Sequence, residues 1–324
     1  MEGVMRTYSQ VELQHARVLD GGLATELERR GVNIGGPLWS ARALSEAPEA
    51  ILAVHRSYLD AGAQVLLTAS YQVSARGFHT MGMVEAEAVE EEATALRAAV
   101  NLALAARAGA GLSQVLIAGS LGPYGAALAN GAEFHGNYGF ADERAQHRAL
   151  VGFHERRIAV LAETDADLLA FETLPSIAEA QAIVEALAAW PNVGAWLSFT
   201  CRDGERTAHG ELLRECAALL DGVPQVLAIG VNCTAPGLIL PLIGELRAGT
   251  QKPLVVYPNS GEGWDAESRC WTGTADVEGY AAMAASWFAA GAQLVGGCCR
   301  TGPEHVRAVA QAAGLAQHSP RQNA

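Results

Sequence analysis

The sequence predicts an α/β protein built as a (β/α)8 TIM barrel. Three observations carry this reading. Eight short apolar runs recur along the chain, helical stretches separate them, and no phosphate-loop or dinucleotide glycine pattern follows any run. The last point argues against an open doubly wound sheet. Most runs are apolar at successive positions rather than strictly alternating, as expected of parallel strands covered on both faces.

In order, the strands are expected at 17–22 (RVLDGG), 64–71 (QVLLTASY), 114–120 (QVLIAGS) and 167–173 (DLLAFET). Four more follow at 193–200 (VGAWLSFT), 226–232 (VLAIGVN), 253–259 (PLVVYPN) and 293–299 (QLVGGCC). Helices are expected at 85–107, acidic early, basic late and closed by Gly109, and at 147–164, 176–189, 210–220 and 277–290. A last helix opens at Gly302–Pro303, where proline suits a first turn, and runs to about Gln311. The segment 121–140, LGPYGAALANGAEFHGNYGF, is a long loop rich in glycine and aromatics, suited to covering an active site. No interdomain linker stands out, so the chain is expected to form one barrel domain over 1–324, with its core at about 17–312 and short flexible termini.

Composition narrows the partners. Half of the 324 residues are hydrophobic and the formal net charge is −13, which suits a packed soluble globule and disfavours nucleic acid. The N-terminus lacks a charged-then-apolar signal, and no apolar stretch is long enough to span a membrane. The cysteines are Cys201, Cys216, Cys233, Cys270, Cys298 and Cys299, too sparse for a disulfide scaffold. A cytoplasmic location is therefore expected.

A barrel gathers its chemistry at the C-terminal ends of its strands. There this sequence places Asp20, Thr68, Ser120, Glu172, Asn232, Cys233, Cys298 and Cys299, and these are the candidate site residues. Adjacent residues of a regular strand point to opposite faces, but Gly296 and Gly297 permit a bend that turns both Cys298 and Cys299 inward. Three thiolates at one point suit Zn²⁺ and leave a fourth position open, as in catalytic sites. Buried small hydrophobes and a redox pair are the competing readings of the same cysteines. If a metal is held, a thiol substrate is a natural fourth ligand. Asp20 and Glu172 would then grip an α-amino group, and backbone N–H groups near Gly21 or Gly22 a carboxylate. A metal-assisted hydrolase, using bound water with a carboxylate base, is the rival chemistry. A non-enzymatic thiol- or zinc-binding module is a third possibility, disfavoured by the two carboxylates beside the thiols.

From about 18 to 310 the chain resembles the homocysteine S-methyltransferase family. The resemblance lies in LDGGLATELERRG at 19–31, TASYQ at 68–72, SLGPYGAALANGAEFHG at 120–136 and FETLPS at 171–176. It continues in GVNCTAP at 230–236, YPNSGEGWD at 257–265 and GGCCRTGPEHV at 296–306. It implies one Zn²⁺ per chain on Cys233, Cys298 and Cys299, with Asp20 and Glu172 on the amino group of L-homocysteine, and L-methionine as product. The TASYQ, LGPYG and PNSGE stretches look like the branch that uses S-methylmethionine and sometimes S-adenosylmethionine. Betaine-using relatives carry a tyrosine after the strand-four glutamate, where Thr173 stands here, and a C-terminal extension this sequence lacks; betaine is the alternative donor. The folate and cobalamin domains of cobalamin-dependent methionine synthases are absent as well. A sulfonium cation favours an electron-rich wall, and Tyr71, Tyr124, Phe134, Tyr257, Trp264 and Trp271 are the donor-pocket candidates. His15, His135 and His209 match no role in these motifs. Oligomeric state is not legible.

Overall fold

The computed structural model describes residues 10–15, 17–35, 38–265, 270–272 and 276–314. The expected barrel is present. Its strands are β1 (Arg17–Val18), β2 (Val65–Leu67), β3 (Leu116–Leu121), β4 (Leu168–Leu174), β5 (Ala195–Phe199), β6 (Val226–Asn232), β7 (Leu254–Tyr257) and β10 (Leu294–Val295). They run parallel in the order β1-β10-β7-β6-β5-β4-β3-β2. A bridge between Leu19 and Val65 joins the outer strands and closes the ring. Between β7 and β10 lies an unanticipated antiparallel hairpin, β8 (Gly263–Asp265) with β9 (Cys270–Thr272).

Strand periodicity assigns the two faces. Leu116, Ala118 and Ser120 of β3, and Leu168, Ala170 and Glu172 of β4, are spaced two apart and turn toward the lumen; Ile117, Leu169 and Phe171 pack outward against helices. The lumen below the site is apolar, with Leu13, Leu19, Val65, Leu227, Val255 and Leu294 around Trp196. The small side chains of Ala118, Ala170 and Ala228 leave room for that indole. Its N–H donates to the Tyr257 hydroxyl at 3.2 Å. Leu13, on the 3-10 turn Gln10–Leu13, belongs to this interior cluster although it precedes the first strand.

The helices expected from polarity and caps are present with shifted ends, and a further one, Ile239–Gly249 between β6 and β7, was not anticipated. The long one spans Glu85–Ala110: Gly109 lies inside it, and Gly111, at φ 68°, terminates it in the left-handed conformation. Among the other expected helices are Glu143–Ala162, Ile177–Leu187, Leu213–Asp221, Val277–Ala289 and Pro303–Ala312, with Asp142, Ser176 and Asp276 accepting from backbone amides at their N-caps. The first and last strands are shorter than expected, because the glycine-rich segments after Leu19 and Val295 leave the ladder to build the site. No helix among the described residues is long and apolar enough to cross a membrane.

His55, on the helix Pro48–Asp60, is fully buried, and desolvation lowers its pKa to about 4. The folded chain therefore holds this imidazole neutral while the unfolded chain protonates it near pH 6.5. Its contribution is complete above pH 6.5 and is lost as pH falls from there toward 4. Urea unfolding at pH 7 and pH 5 should show the wild type losing about 2 kcal/mol more than His55→Leu. An equal loss in both would assign the acid sensitivity elsewhere.

Candidate functional site

The three cysteines meet at the C-terminal mouth of the barrel. Cys233 Sγ lies 3.8 Å from Cys299 Sγ, and Cys298 Sγ lies 4.0 Å from Cys299 Sγ. All three sulfurs fall within 4.8 Å of one another. Backbone conformation brings them there. Cys233 leaves β6 at φ 49° and Arg300 reverses the chain at φ 65°, both left-handed and both non-glycine. The glycines act through close approach instead. A Cβ on Gly297 would lie 2.3 Å from the Thr301 hydroxyl, and one on Gly22 would lie 2.6 Å from the Cys298 carbonyl. Backbone bonds then lock the turn: Gly297 donates to Asp20 at 3.1 Å, Cys298 to Pro258 at 2.8 Å and Ser260 to Cys299 at 3.1 Å.

This thiol geometry fits a soft metal. Tetrahedral bonds of about 2.3 Å place sulfurs about 3.8 Å apart, close to the spacings found. Hydrogen bonding within the group holds Cys299 well below the ordinary thiol pKa and pushes Cys233 up; Cys298 is also raised, the bond from Cys233 lowering it but the contact with Cys299 and burial outweighing that. Cys201 and Cys216 are buried apart from the cluster, the latter on a helix, as packing residues.

Two carboxylates flank the thiols. Asp20 is buried; its Oδ2 accepts from Leu67 N at 2.9 Å, while Oδ1 is buried without a hydrogen-bond partner. Glu172 Oε1 accepts the Ser120 hydroxyl. Burial is the largest cause that raises both groups, Asp20 well above its ordinary value and Glu172 to about 8. A cation placed between them would return both to the charged form.

A cavity of about 200 Å³ opens over this set. Asp20, Gly21, Gly22, Thr68, Ser120, Glu172 and the three cysteines line it, together with Tyr71, Phe134 and Tyr257. Thr68 and Ser120 also serve inward: Thr68 Oγ1 accepts from Ser120 N at 2.9 Å and contacts the Ser70 hydroxyl at 2.6 Å. Three expectations change. Asn232 does not border the cavity; its Oδ1 accepts from Thr173 N at 2.6 Å and from the Ser198 hydroxyl at 2.9 Å, and its Nδ2 donates to Thr173 Oγ1 at 2.8 Å. It holds Thr173 at φ 60°, the residue following Glu172. Tyr124 also stands back from the cavity, packed among Tyr138, Phe140 and Phe153. The Gly22 amide is engaged by Thr301, to its carbonyl at 3.0 Å and its hydroxyl at 3.2 Å, which leaves it no proton for a substrate carboxylate. The side chains of Trp264 and Trp271 lie outside the described residues.

Sequence reasoning missed the wall formed by Glu133 and Arg300, both lining the cavity, and the Arg300 pairing with Glu262 at 3.2 Å. It also missed a buried line of polar groups behind the 121–140 loop. There Glu179 Oε1 lies 2.9 Å from His154 Nε2, and Arg157 Nη2 donates to His154 Nδ1 at 3.0 Å. None of the three belongs to the motifs by which the resemblance was found, and charged residues at helical spacing read as a solvated face.

The homocysteine S-methyltransferase family model matches residues 17–313. A Bacillus subtilis (strain 168) protein, homocysteine S-methyltransferase YbgG, is 44% identical over 301 residues, covering 90% of this chain and 93% of its own. Homocysteine S-methyltransferase of Escherichia coli (strain K12) is 44% identical over 303 residues, 92% of this chain and 96% of its own. The metallated form of the Escherichia coli homocysteine methyltransferase MmuM superposes with a TM-score of 0.78 at 41% identity, over 92% of this chain and 96% of that one.

The thiol cluster makes a direct prediction. Protein stripped by chelation and dialysed against a soft divalent ion should retain one ion per chain, and Cys298→Ser should retain far less, read by elemental analysis. Equal retention in the variant would remove the thiols from the metal site.

Proposed function

We propose that this chain, which belongs to the homocysteine S-methyltransferase family, moves a methyl group from a sulfonium donor to L-homocysteine and releases L-methionine. S-methylmethionine is the first candidate donor and S-adenosylmethionine the second. The observation that carries the reading is the convergence of three thiols and two buried carboxylates on one cavity. Cys233, Cys298 and Cys299 would hold one Zn²⁺. Zinc held there favours the thiolate over the thiol of an incoming substrate at neutral pH, where a free thiol of pKa about 8.5 is mostly protonated.

The chain's own groups do the rest. Asp20 Oδ1 and Glu172 receive the α-ammonium of homocysteine, and the unpartnered Oδ1 is a ready acceptor for it. Ser120 fixes the Glu172 carboxylate, and Asn232 fixes the strained backbone beside it. With the amino end gripped and the sulfur directed to the cysteines, the acceptor is held for in-line attack, so orientation supplies a large part of the rate. Tyr71, Phe134 and Tyr257 present rings to the same space, where a sulfonium is stabilised by aromatic faces. In the transfer the methyl carbon's bond to the donor sulfur breaks and its electron pair stays on that sulfur. A new carbon–sulfur bond forms to homocysteine, and no covalent enzyme intermediate is required.

Offered L-homocysteine with S-methylmethionine, S-adenosylmethionine or betaine in separate reactions, the zinc-loaded protein should form methionine fastest from S-methylmethionine. Chelation should stop turnover and zinc restore it. Turnover from betaine alone would overturn the donor, and release of product without a thiol acceptor would favour hydrolysis. Glu172→Gln should lower kcat/KM about a hundredfold, the cost of removing one partner from a buried charge contact. A change of less than about threefold would detach Glu172 from the substrate.

A further inference from the structure

Beyond Asp20 and Glu172, two carboxylates line the cavity from outside the barrel strands: Glu28, exposed and 3.8 Å from Arg300, and Glu133. Glu133 lies on the 3-10 turn Ala132–Phe134 of the loop after β3, and it lines the same space as Tyr71 and Phe134. Its Oε2 is buried and accepts no hydrogen bond. Glu133 borders the same cavity as Cys233 and Glu172.

The surrounding fold fixes the turn that carries Glu133. A Cβ on Gly125 would lie 2.4 Å from Glu133 N, so the short helix Tyr124–Leu128 packs directly on the turn. Glu179 then ties the loop at two points, accepting Tyr124 N at 2.6 Å and the Tyr138 hydroxyl. Arg157 donates from Nη2 to the Gly122 carbonyl at 2.9 Å and to His154 Nδ1. With Nδ1 accepting, the neutral imidazole carries its proton on Nε2 and donates it to Glu179. His154 and Glu179 are both 0% exposed, so this clamp is insulated from water.

From this placement we propose that Glu133 receives the α-ammonium of the methyl donor and selects donors that are amino acids. The assignment rests on the sulfonium-donor reading above. The donor carries two positive charges, and they differ in fate. The sulfonium is neutralised as the methyl group leaves, so a carboxylate against it would hold the ground state more firmly than the transition state. The α-ammonium keeps its charge throughout, and a carboxylate there lowers KM without opposing the reaction. Aromatic rings suit the sulfonium and Glu133 suits the ammonium. A donor such as betaine, with no N–H to give, would gain no hydrogen bond from Glu133.

The test is steady-state kinetics of the zinc-loaded holoenzyme with Glu133→Gln and Glu133→Asp. In Glu133→Gln, KM for S-methylmethionine should rise about tenfold or more, with kcat and KM for L-homocysteine within about twofold. Glu133→Asp should recover part of the loss. Dimethylsulfoniopropionate, a sulfonium without an amino group, should compete with S-methylmethionine equally well in wild type and Glu133→Gln. An unmoved donor KM overturns the assignment, as does a parallel rise in both KM values, which marks a loop displaced as a whole. Weaker competition by the amine-free sulfonium in the variant overturns the choice of the ammonium. A wild type that turns over homocysteine but not S-methylmethionine overturns the donor reading, and this assignment with it.

Discussion

The site depends on a constraint of the backbone: two adjacent cysteines must present their sulfurs on the same side. A β-strand forbids this, because neighbouring side chains face opposite ways. The chain resolves it by ending the last barrel strand at Val295 and placing Cys298 and Cys299 in a turn reversed at Arg300. That turn seats itself against Asp20 and Pro258, so it touches the strand ends on both sides of it. Asp20, Cys233 and the cysteine pair are thereby referred to one frame. Displacing any one backbone segment would move the others, which is why glycines stand where side chains would push the strand ends apart.

Much of this was legible beforehand. The eight apolar runs mapped onto the eight barrel strands, and the polar residues closing them marked the mouth, since a parallel barrel converts position along a strand into position along its axis. Legibility failed where geometry off the ladder decides the outcome. Asn232 reads as one more polar strand end, yet its amide is consumed by Thr173 and Ser198. Tyr124 reads as an aromatic on an active-site loop, yet it packs on Phe153. The Gly22 amide looked available until Thr301 was placed against it. In each case a neighbour distant in sequence occupies the group, and periodicity carries no information about such neighbours.

The clamp behind the loop shows the same limit in a deeper form. Arg157 and Glu179 are charged residues within helices, where a sequence pattern implies solvent. Here both are buried, with a neutral histidine between them. Buried ionic groups contribute little net stability compared with an apolar replacement, and removal of one partner is costly. Their value lies in fixing a unique arrangement, in this case that of a glycine-rich loop whose own composition would leave it many conformations. The barrel supplies rigidity to one side of the cavity and this clamp supplies it to the other.

The filled lumen imposes an order of traffic. Leu13 joins Leu19, Leu227 and Leu294 in the apolar plug beneath the site, and Trp196 and Tyr257 occupy the space above. Among the described residues a channel through the barrel axis is thus closed, and the cavity is reached from the mouth. Two ligands that share one doorway and lie at different depths are stacked. In the reaction proposed above, an acceptor whose sulfur must reach the cysteines at the base would enter first, with the donor settling over it. The methylated acceptor would then leave only after the spent donor had vacated the entrance.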